Sequence, residues 1–440
     1  METHDPAPLE RFRAQLYHGV LGQRRDALFD LVDALLTSDG PQSLVRLSLA
    51  PCFPRGWAST CDALADGRRN VGALRRLCVG ALPGAAAGER ELWALDGTTW
   101  PRPAAKTSDE RTWCRMVTGG QPQDGVVPGW EYQVLAAIPE DHGSWGLGLD
   151  LARRDPATGT PTQLAITQVQ RCLAVRPGAA PPPVVTLDSH YRVHELQAAD
   201  LACDWLVRLQ SNRRLFHAPP PYAGKGAPRK HGAKFKLDDP TTHGSPDRTQ
   251  VVVDPVRGKV VIDAWLDLHD QSAPDCPFAV IRVQPERLPR REGPPAPLWL
   301  AWTGATLPAD LSCRWHWYER RFAEEHLFRF IKQALGWTAV RLHDPAAADR
   351  WTWLVAAAVW QLWLARGLVA DQRLPWERPA DAARLSPGRV RRAFGGLLTG
   401  LVPRSRPPQT RGKSPGRQVG ARPGRRERHP VHRRGPPKAA

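Results

Sequence analysis

Three things are missing from this chain of 440 residues. Its eight cysteines, at 52, 61, 78, 114, 172, 203, 276 and 313, form no CxxC pair and no other metal-finger spacing. That excludes a zinc finger and reads as a set of reduced thiols. The opening residues, METHDPAPLERF, have neither a basic n-region nor an apolar h-region, so no export is expected. The most apolar stretch, Trp351 to Ala365, is interrupted by Gln361 and is shorter than the ~20 residues a membrane span requires. It is expected to be a buried helix.

Positive charge is abundant. The net charge is +17 and the isoelectric point is near 10.1, which favours a polyanionic partner. The charge is uneven: residues 401–440 hold twelve Lys or Arg and one acid, about +11, leaving about +6 for the other 400 residues. Pro, Arg and Gly dominate that tail, so it is expected to be disordered.

Along the chain, residues 1–90 show helical spacing (Leu9, Phe12, Leu16, Val20; then Leu28, Leu31, Leu35, Leu36) and no strand signal. Trp57 to Leu82 reads as two helices about a turn at Asp66 to Asn70, either a DNA-reading helix-turn-helix or an ordinary helical hairpin. From residue 91 the texture changes. Leu92 to Thr99, Tyr132 to Ile138 and Trp145 to Leu151 are strand-length apolar runs. A helix opened by Thr160-Pro161 follows, then the short strand Val184 to Leu187, a helix from about Val193 to Ala202, and a strand from Trp205 to Leu209. Residues 216–310 interrupt this β-β-β-α-β-α-β series with a basic Gly/Pro-punctuated stretch and four further strands, at 250–253, 259–265, 278–283 and 298–302. The organisation expected is 1–90 helical, a possible DNA-end-binding domain; 91–215 and 311–345 the two parts of a core; 216–310 a β-rich insertion; 346–400 helical; and 401–440 a basic tail.

Two acids break the apolar strands. Asp96 follows Leu92-Trp93-Ala94-Leu95, and Asp188 follows Val184-Val185-Thr186-Leu187. A carboxylate there without a partner would cost several kcal/mol, and a bound cation would resolve the cost. Asp150 and Asp204 are rivals whose flanks fit the strand order less well. Further on, Tyr318, Arg321, Glu325 and Lys332 are spaced Tyr-x2-Arg-x3-Glu-x6-Lys on a segment that reads as one helix. At 100° per residue the four project within an arc of about 60°, opposite Leu327, Phe330, Ile331 and Ala334. The plain alternative is a solvated amphipathic helix with an Arg321–Glu325 pair contributing a few tenths of a kcal/mol. If the strands bearing Asp96 and Asp188 are neighbours, Glu325 can reach both. Three such carboxylates suit Mg²⁺ and two-ion chemistry on a phosphodiester.

With these residues in place, the chain resembles the DDE-type transposases of bacterial insertion sequences, in the branch carrying the YREK signature, over roughly residues 91–345. The resemblance implies an α/β fold with a ribonuclease-H-like mixed sheet and an inserted β-rich domain. Asp96, Asp188 and Glu325 would be the catalytic metal-binding acids, with Mg²⁺ as cofactor, two ions, replaceable by Mn²⁺. It also implies cleavage at transposon ends, strand transfer into target DNA, and a homodimeric synaptic complex. Tyr318, Arg321 and Lys332 would contact DNA near the cleaved phosphate. Lys225, Arg229 and Lys230 in the insertion are expected to track the DNA backbone. The expected location is cytoplasmic, associated with the nucleoid. Two alternatives stay open: an inactive or host-adopted DNA-binding protein derived from a transposase, and a nuclease that cuts without joining.

Overall fold

The computed structural model describes residues 5–85, 89–118, 121–155, 159–178, 180–222, 224, 226–288, 293, 295–307, 309–398, 420 and 426–432, with the side chains of 116–118 and 121–124 left aside. The first helices are α1 (Ala7–Gln15), α2 (Arg25–Thr37), α3 (Leu44–Leu47), α4 (Ala58–Asp66) and α5 (Val71–Gly80). The strands β1 (Leu92–Pro101), β2 (Thr112–Thr118), β3 (Gln121–Ala137) and β4 (Leu147–Arg153) follow. Then come α6 (Pro161–Leu173), β5 (Val184–Leu187), α7 (Val193–Ala198) and β6 (Asp204–Leu209). The strands β7 (Arg214–Phe216), β8 (Lys234–Lys236), β9 (Arg248–Asp254), β10 (Gly258–Asp270), β11 (Phe278–Pro285) and β12 (Leu298–Trp302) precede α8 (Ser312–Arg320), α9 (Phe322–Arg329), α10 (Pro345–Ala365) and α11 (Pro387–Leu398).

Among the described residues the strands form one mixed sheet. Its core runs β4-β3-β1-β5-β6, with β1, β5 and β6 mutually parallel and β3 antiparallel to both β1 and β4. This order is compatible with a ribonuclease-H-like fold. The parallel strands are apolar because both their faces are covered. Trp93, Leu95, Val185, Leu187, Trp205 and Val207 join a large core with the helices of the N-terminal region and α10. Their alternates Leu92, Ala94, Val184 and Leu206 face a second core containing Leu311, Trp315 and Tyr318, so α8 covers that side.

Beyond β6 the sheet continues antiparallel through β12, β11 and β10, with β9 and the β7–β8 pair on the far side of β10. Trp299 and Trp302 are buried in β12. The N-terminal helices are fastened to α10: Arg13 donates to Asp33 at 2.7 and 3.0 Å and to Gln361 at 2.6 Å, all buried. The α4–α5 pair has the expected turn, and Asn70 caps α5 by accepting from the Ala73 amide. α6 has its Thr160–Gln163 capping box. No helix among the described residues is long and apolar enough to cross a membrane.

Three expectations are corrected. First, the segment from Tyr318 to Lys332 is not one helix. α8 ends at Arg320, α9 begins at Phe322, and residues 330–334 form a π turn. No Pro or Gly stands at the break; it coincides with Arg321, whose side chain turns to Asp96. Arg321 still touches Tyr318 and Glu325 across the interruption, whereas Lys332 lies on the π turn beside Trp337. Second, β2 and the first half of β3 were missed because Pro122, Gly125, Pro128 and Gly129 read as turn residues. Gly129 is needed there, since a Cβ would lie 2.6 Å from the Trp100 carbonyl oxygen. Third, part of the basic tail is ordered. The His429 amide donates to Lys106 O at 3.0 Å, the His432 amide to Arg111 O at 2.8 Å, and Arg111 Nη2 to His429 O at 2.9 Å. Backbone hydrogen bonds, the Arg111 side chain and the approach of His429 and His432 to Asp109, not apolar burial, hold this segment. The rest of the tail expected to be disordered, 401–419, 421–425 and 433–440, lies outside the described residues.

Candidate active site

Strand register brings the two strand acids together. Leu95 pairs with Leu187 as the last partners of β1 and β5, and Leu187 pairs with Val207 of β6. The next residues, Asp96, Asp188 and Arg208, thus stand side by side at one end of the parallel strands. Alternation puts them on the same side as Ala94, Val184 and Leu206, the side that α8 covers.

Asp96 accepts from the Gly97 amide at 2.7 Å and from Arg321 Nη1 at 2.9 Å. Burial pushes its carboxyl above the ordinary value, with Arg321 pulling the other way. Asp188 lies 3.5 Å from His190 Nδ1 and 3.8 Å from Arg208 Nη1. The His190 contact holds its carboxyl well below the usual range and lifts His190 in return. Asp188 Oδ1 is buried without a hydrogen-bond partner.

The helix segment adds the rest. Arg321 Nη2 is 3.6 Å from Glu325 Oε1, and the guanidinium lies 5.5 Å from the centre of the Tyr318 ring. Burial works against the Arg321 charge, but Tyr318, Asp96, Glu324 and Asp188 around it hold the proton on more firmly than usual. Glu325 is 44 % exposed at its side chain, and burial raises its carboxyl against the pull of Arg321. Tyr318 is buried and its hydroxyl has no hydrogen-bond partner. Lys332 is half-buried with Nζ 6.0 Å from the Trp337 ring, and burial pushes its ammonium down to about 8.

Sequence reasoning missed three residues here: His190, Arg208 and Glu324. Glu324 is the most unusual, at 0 % exposure with neither carboxylate oxygen hydrogen-bonded. Burial first, then the charge of Asp96, raises its carboxyl well above the ordinary value. The Glu324-Glu325 doublet was visible, but the spacing pattern singled out only its second member.

The rival acids are accounted for elsewhere. Asp150 on β4 is bonded to Arg75 and Gln168. Asp204 starts β6, at the opposite end from Asp188, and pairs with Arg90. Arg229 and Lys230 are exposed on the connection between β7 and β8, at the far end of the strand order from the acids. Lys225 lies outside the described residues.

The all-oxygen donor set, and an Asp188 Oδ1 that accepts no hydrogen bond, suit a hard divalent cation. As the side chains stand, Arg321 bridges Asp96 and Glu325, and no three His, Cys, Asp or Glu among the described residues are gathered closely enough to hold a metal ion.

A mixed sheet in this strand order, with acids meeting at the ends of parallel strands, defines a class of nucleic-acid-cutting enzymes. The chain belongs to the DDE superfamily endonucleases: the sequence profile of that family matches residues 16–262, more than half its length. The match contains Asp96 and Asp188 and ends before Tyr318. No curated protein matches the chain. Membership implies an endonuclease with DNA as substrate and a divalent metal as helper.

Proposed function

We propose that this endonuclease is an insertion-sequence transposase of the YREK type, which cleaves DNA at transposon ends and joins the freed 3′ ends to target DNA. The observation that carries the reading is the side-by-side position of Asp96 and Asp188 after the last parallel pair of β1 and β5, with Arg321 and Glu325 reaching the same place. Asp96, Asp188 and Glu325 would hold Mg²⁺, with Mn²⁺ able to substitute. Such ions, when bound, supply charge to the attacking and leaving oxygens of a phosphodiester. Tyr318, Arg321 and Lys332, with Arg229 and Lys230 farther out, would contact DNA, and the sequence assigns Lys225 the same role. On this reading Arg321 shields the acids from one another until a phosphate draws its guanidinium away. Residues 216–310 are an insertion joined edge-on to the core sheet, 1–90 contribute to end recognition, and the working form is a dimer bridging two ends.

The test incubates purified chain and Mg²⁺ with DNA carrying the flanking inverted repeats, beside Asp96→Asn, Asp188→Asn and Glu325→Gln variants. Cleavage that survives all three substitutions would sink the site assignment. Cleavage without joined products reduces the reading to a nuclease. The second reading, a DNA-binding protein without activity, draws on the Arg321–Asp96 pair, which ties up one of the acids. It predicts binding to the repeats with no cleavage by the wild type.

A further inference from the structure

We propose that β9 is a dimerisation strand that pairs antiparallel with the β9 of a second copy of this chain, about a two-fold axis through Val251. The proposal does not depend on the transposase reading.

β9 hydrogen-bonds to β10 in an unbroken seven-pair register, from Gly258 opposite Asp254 to Ala264 opposite Arg248, and to no other strand among the described residues. Sheet edges left open in solution are normally guarded by an inward charge, a Pro or a bulge. Between its end residues β9 reads Thr249-Gln250-Val251-Val252-Val253, with none of these guards. Its outward side chains include Val251, 51 % exposed, and Val253, 83 % exposed, while Val252 packs beneath against the second core. The β10 residues opposite them, Val261 and Lys259, add one more apolar side chain to this surface.

A second copy is the occupant because the strand is complementary to itself. Antiparallel pairing about Val251 sets Val251 against Val251, Gln250 against Val252, Thr249 against Val253, and Arg248 against Asp254. Three β-branched pairs, one Val251–Val251 and two Thr249–Val253, then cover the exposed valines, and two opposite-charge pairs close the ends. Shifting the register by two residues sets Arg248 against Val252 and removes this charge match, so one register is selected. Arg248 already donates from Nη2 to Ala309 O, and Asp254 Oδ1 accepts the Val256 and Arg257 amides. These contacts fix both side chains at the strand ends. The contact is isologous, so it closes at two copies. Five strand steps separate β5 from β9, so at ~4.8 Å each the two acid sites would lie on the order of 50 Å apart, and the association requires no DNA.

Sedimentation or light-scattering mass of the full-length chain without DNA tests this. The wild type is expected to be a dimer that dissociates on dilution. Val251→Lys, which opposes two ammonium groups across the axis, is expected to give monomer, while Val256→Lys, beyond the strand, leaves the dimer. Because a lysine in a strand can also disturb folding, a charge swap provides the second arm. Arg248→Asp is expected to weaken the dimer by tenfold or more, and the double variant Arg248→Asp/Asp254→Arg to restore it, since the swapped strand is again complementary to itself. A wild type that stays monomeric at the highest soluble concentration, a dimer indifferent to Val251→Lys, or a double variant no better than the single one would each overturn the proposal.

Discussion

Two sets of acids at the core sheet are treated in opposite ways. Asp150, 1 % exposed on β4, receives Arg75 Nε at 2.7 Å on one oxygen and Gln168 Nε2 at 3.2 Å on the other. Burial raises its carboxyl, and Arg75 opposes the rise. Two strands away, Asp96, Asp188, Glu324 and Glu325 crowd around Arg321, while His190 and Arg208 approach Asp188. Asp188 Oδ1 and both oxygens of Glu324 have no hydrogen-bond partner. A structural acid is satisfied by its own fold. An acid cluster left short of partners stores unfavourable energy that a bound cation or substrate can relieve.

If that contrast is right, the two sets respond oppositely to mutation. Replacing Asp96 or Asp188 by Asn is expected to lower DNA cleavage by roughly 10³-fold or more, with the melting temperature unchanged or raised for Asp96, whose carboxyl burial pushes up, and slightly lowered for Asp188, whose charge His190 stabilises. A calorimetric scan beside the cleavage assay checks both halves, and a large loss of stability would mean that these acids are structural after all. Arg75→Ala should do the reverse. It strands Asp150 as a buried, unpaired charge, at a cost of roughly 3–5 kcal/mol of stability, measured by denaturant titration. The specific activity of the protein that remains folded should be near wild type.

The sequence made the first half of this contrast legible and hid the second. Apolar runs ending in Asp located β1 and β5, because buried parallel strands leave a strong hydrophobic signature; that the two are neighbours was the condition on which the three-acid reading stood, and the register meets it. β2, β7 and β8 left no such trace: β7 and β8 have three residues each, and the hairpin of β2 with β3 is punctuated by Pro and Gly. The break at Arg321 was invisible for a different reason. Helical spacing assumes an unbroken helix, whereas the interruption coincides with a long-range bond from Arg321 to Asp96, 225 positions away. Glu324 was passed over because the spacing pattern singled out only Glu325 of the doublet. The ordered piece of tail, 426–432, is held by main-chain bonds and the Arg111 side chain to residues 106–111, which composition cannot report.

Glu324 sharpens the comparison within the acid cluster itself. Its carboxyl is fully enclosed, accepts no side-chain hydrogen bond and shares the charge of Arg321 with three other acids, whereas Asp150 is bonded to Arg75 and Gln168. Glu324→Gln should therefore raise stability by about 1–2 kcal/mol, seen as a melting temperature a few degrees above wild type. Asp150→Asn, where the charge is paired, should lower it. Equal signs for the two variants would remove the distinction between satisfied and unsatisfied acids.

The smallest effect concerns Lys332, at the edge of the cluster. Burial lowers its ammonium from 10.5 to about 8, so the folded protein loses this cation as pH rises through about 8. If Lys332 contacts a DNA phosphate, affinity at fixed salt should fall between pH 7 and 9 by up to about fivefold, the value of one partly exposed charge pair. Stability should move the other way. Between about pH 8 and 10.5 the unfolded chain keeps the proton that the folded chain has released, so Lys332 contributes a stability that increases with pH there. Lys332→Arg keeps its charge throughout and should flatten both trends, which fluorescence anisotropy on a labelled duplex and melting curves across pH would reveal. An affinity slope that persists in the arginine variant would assign the titration to another group and leave Lys332 a packing residue against Trp337.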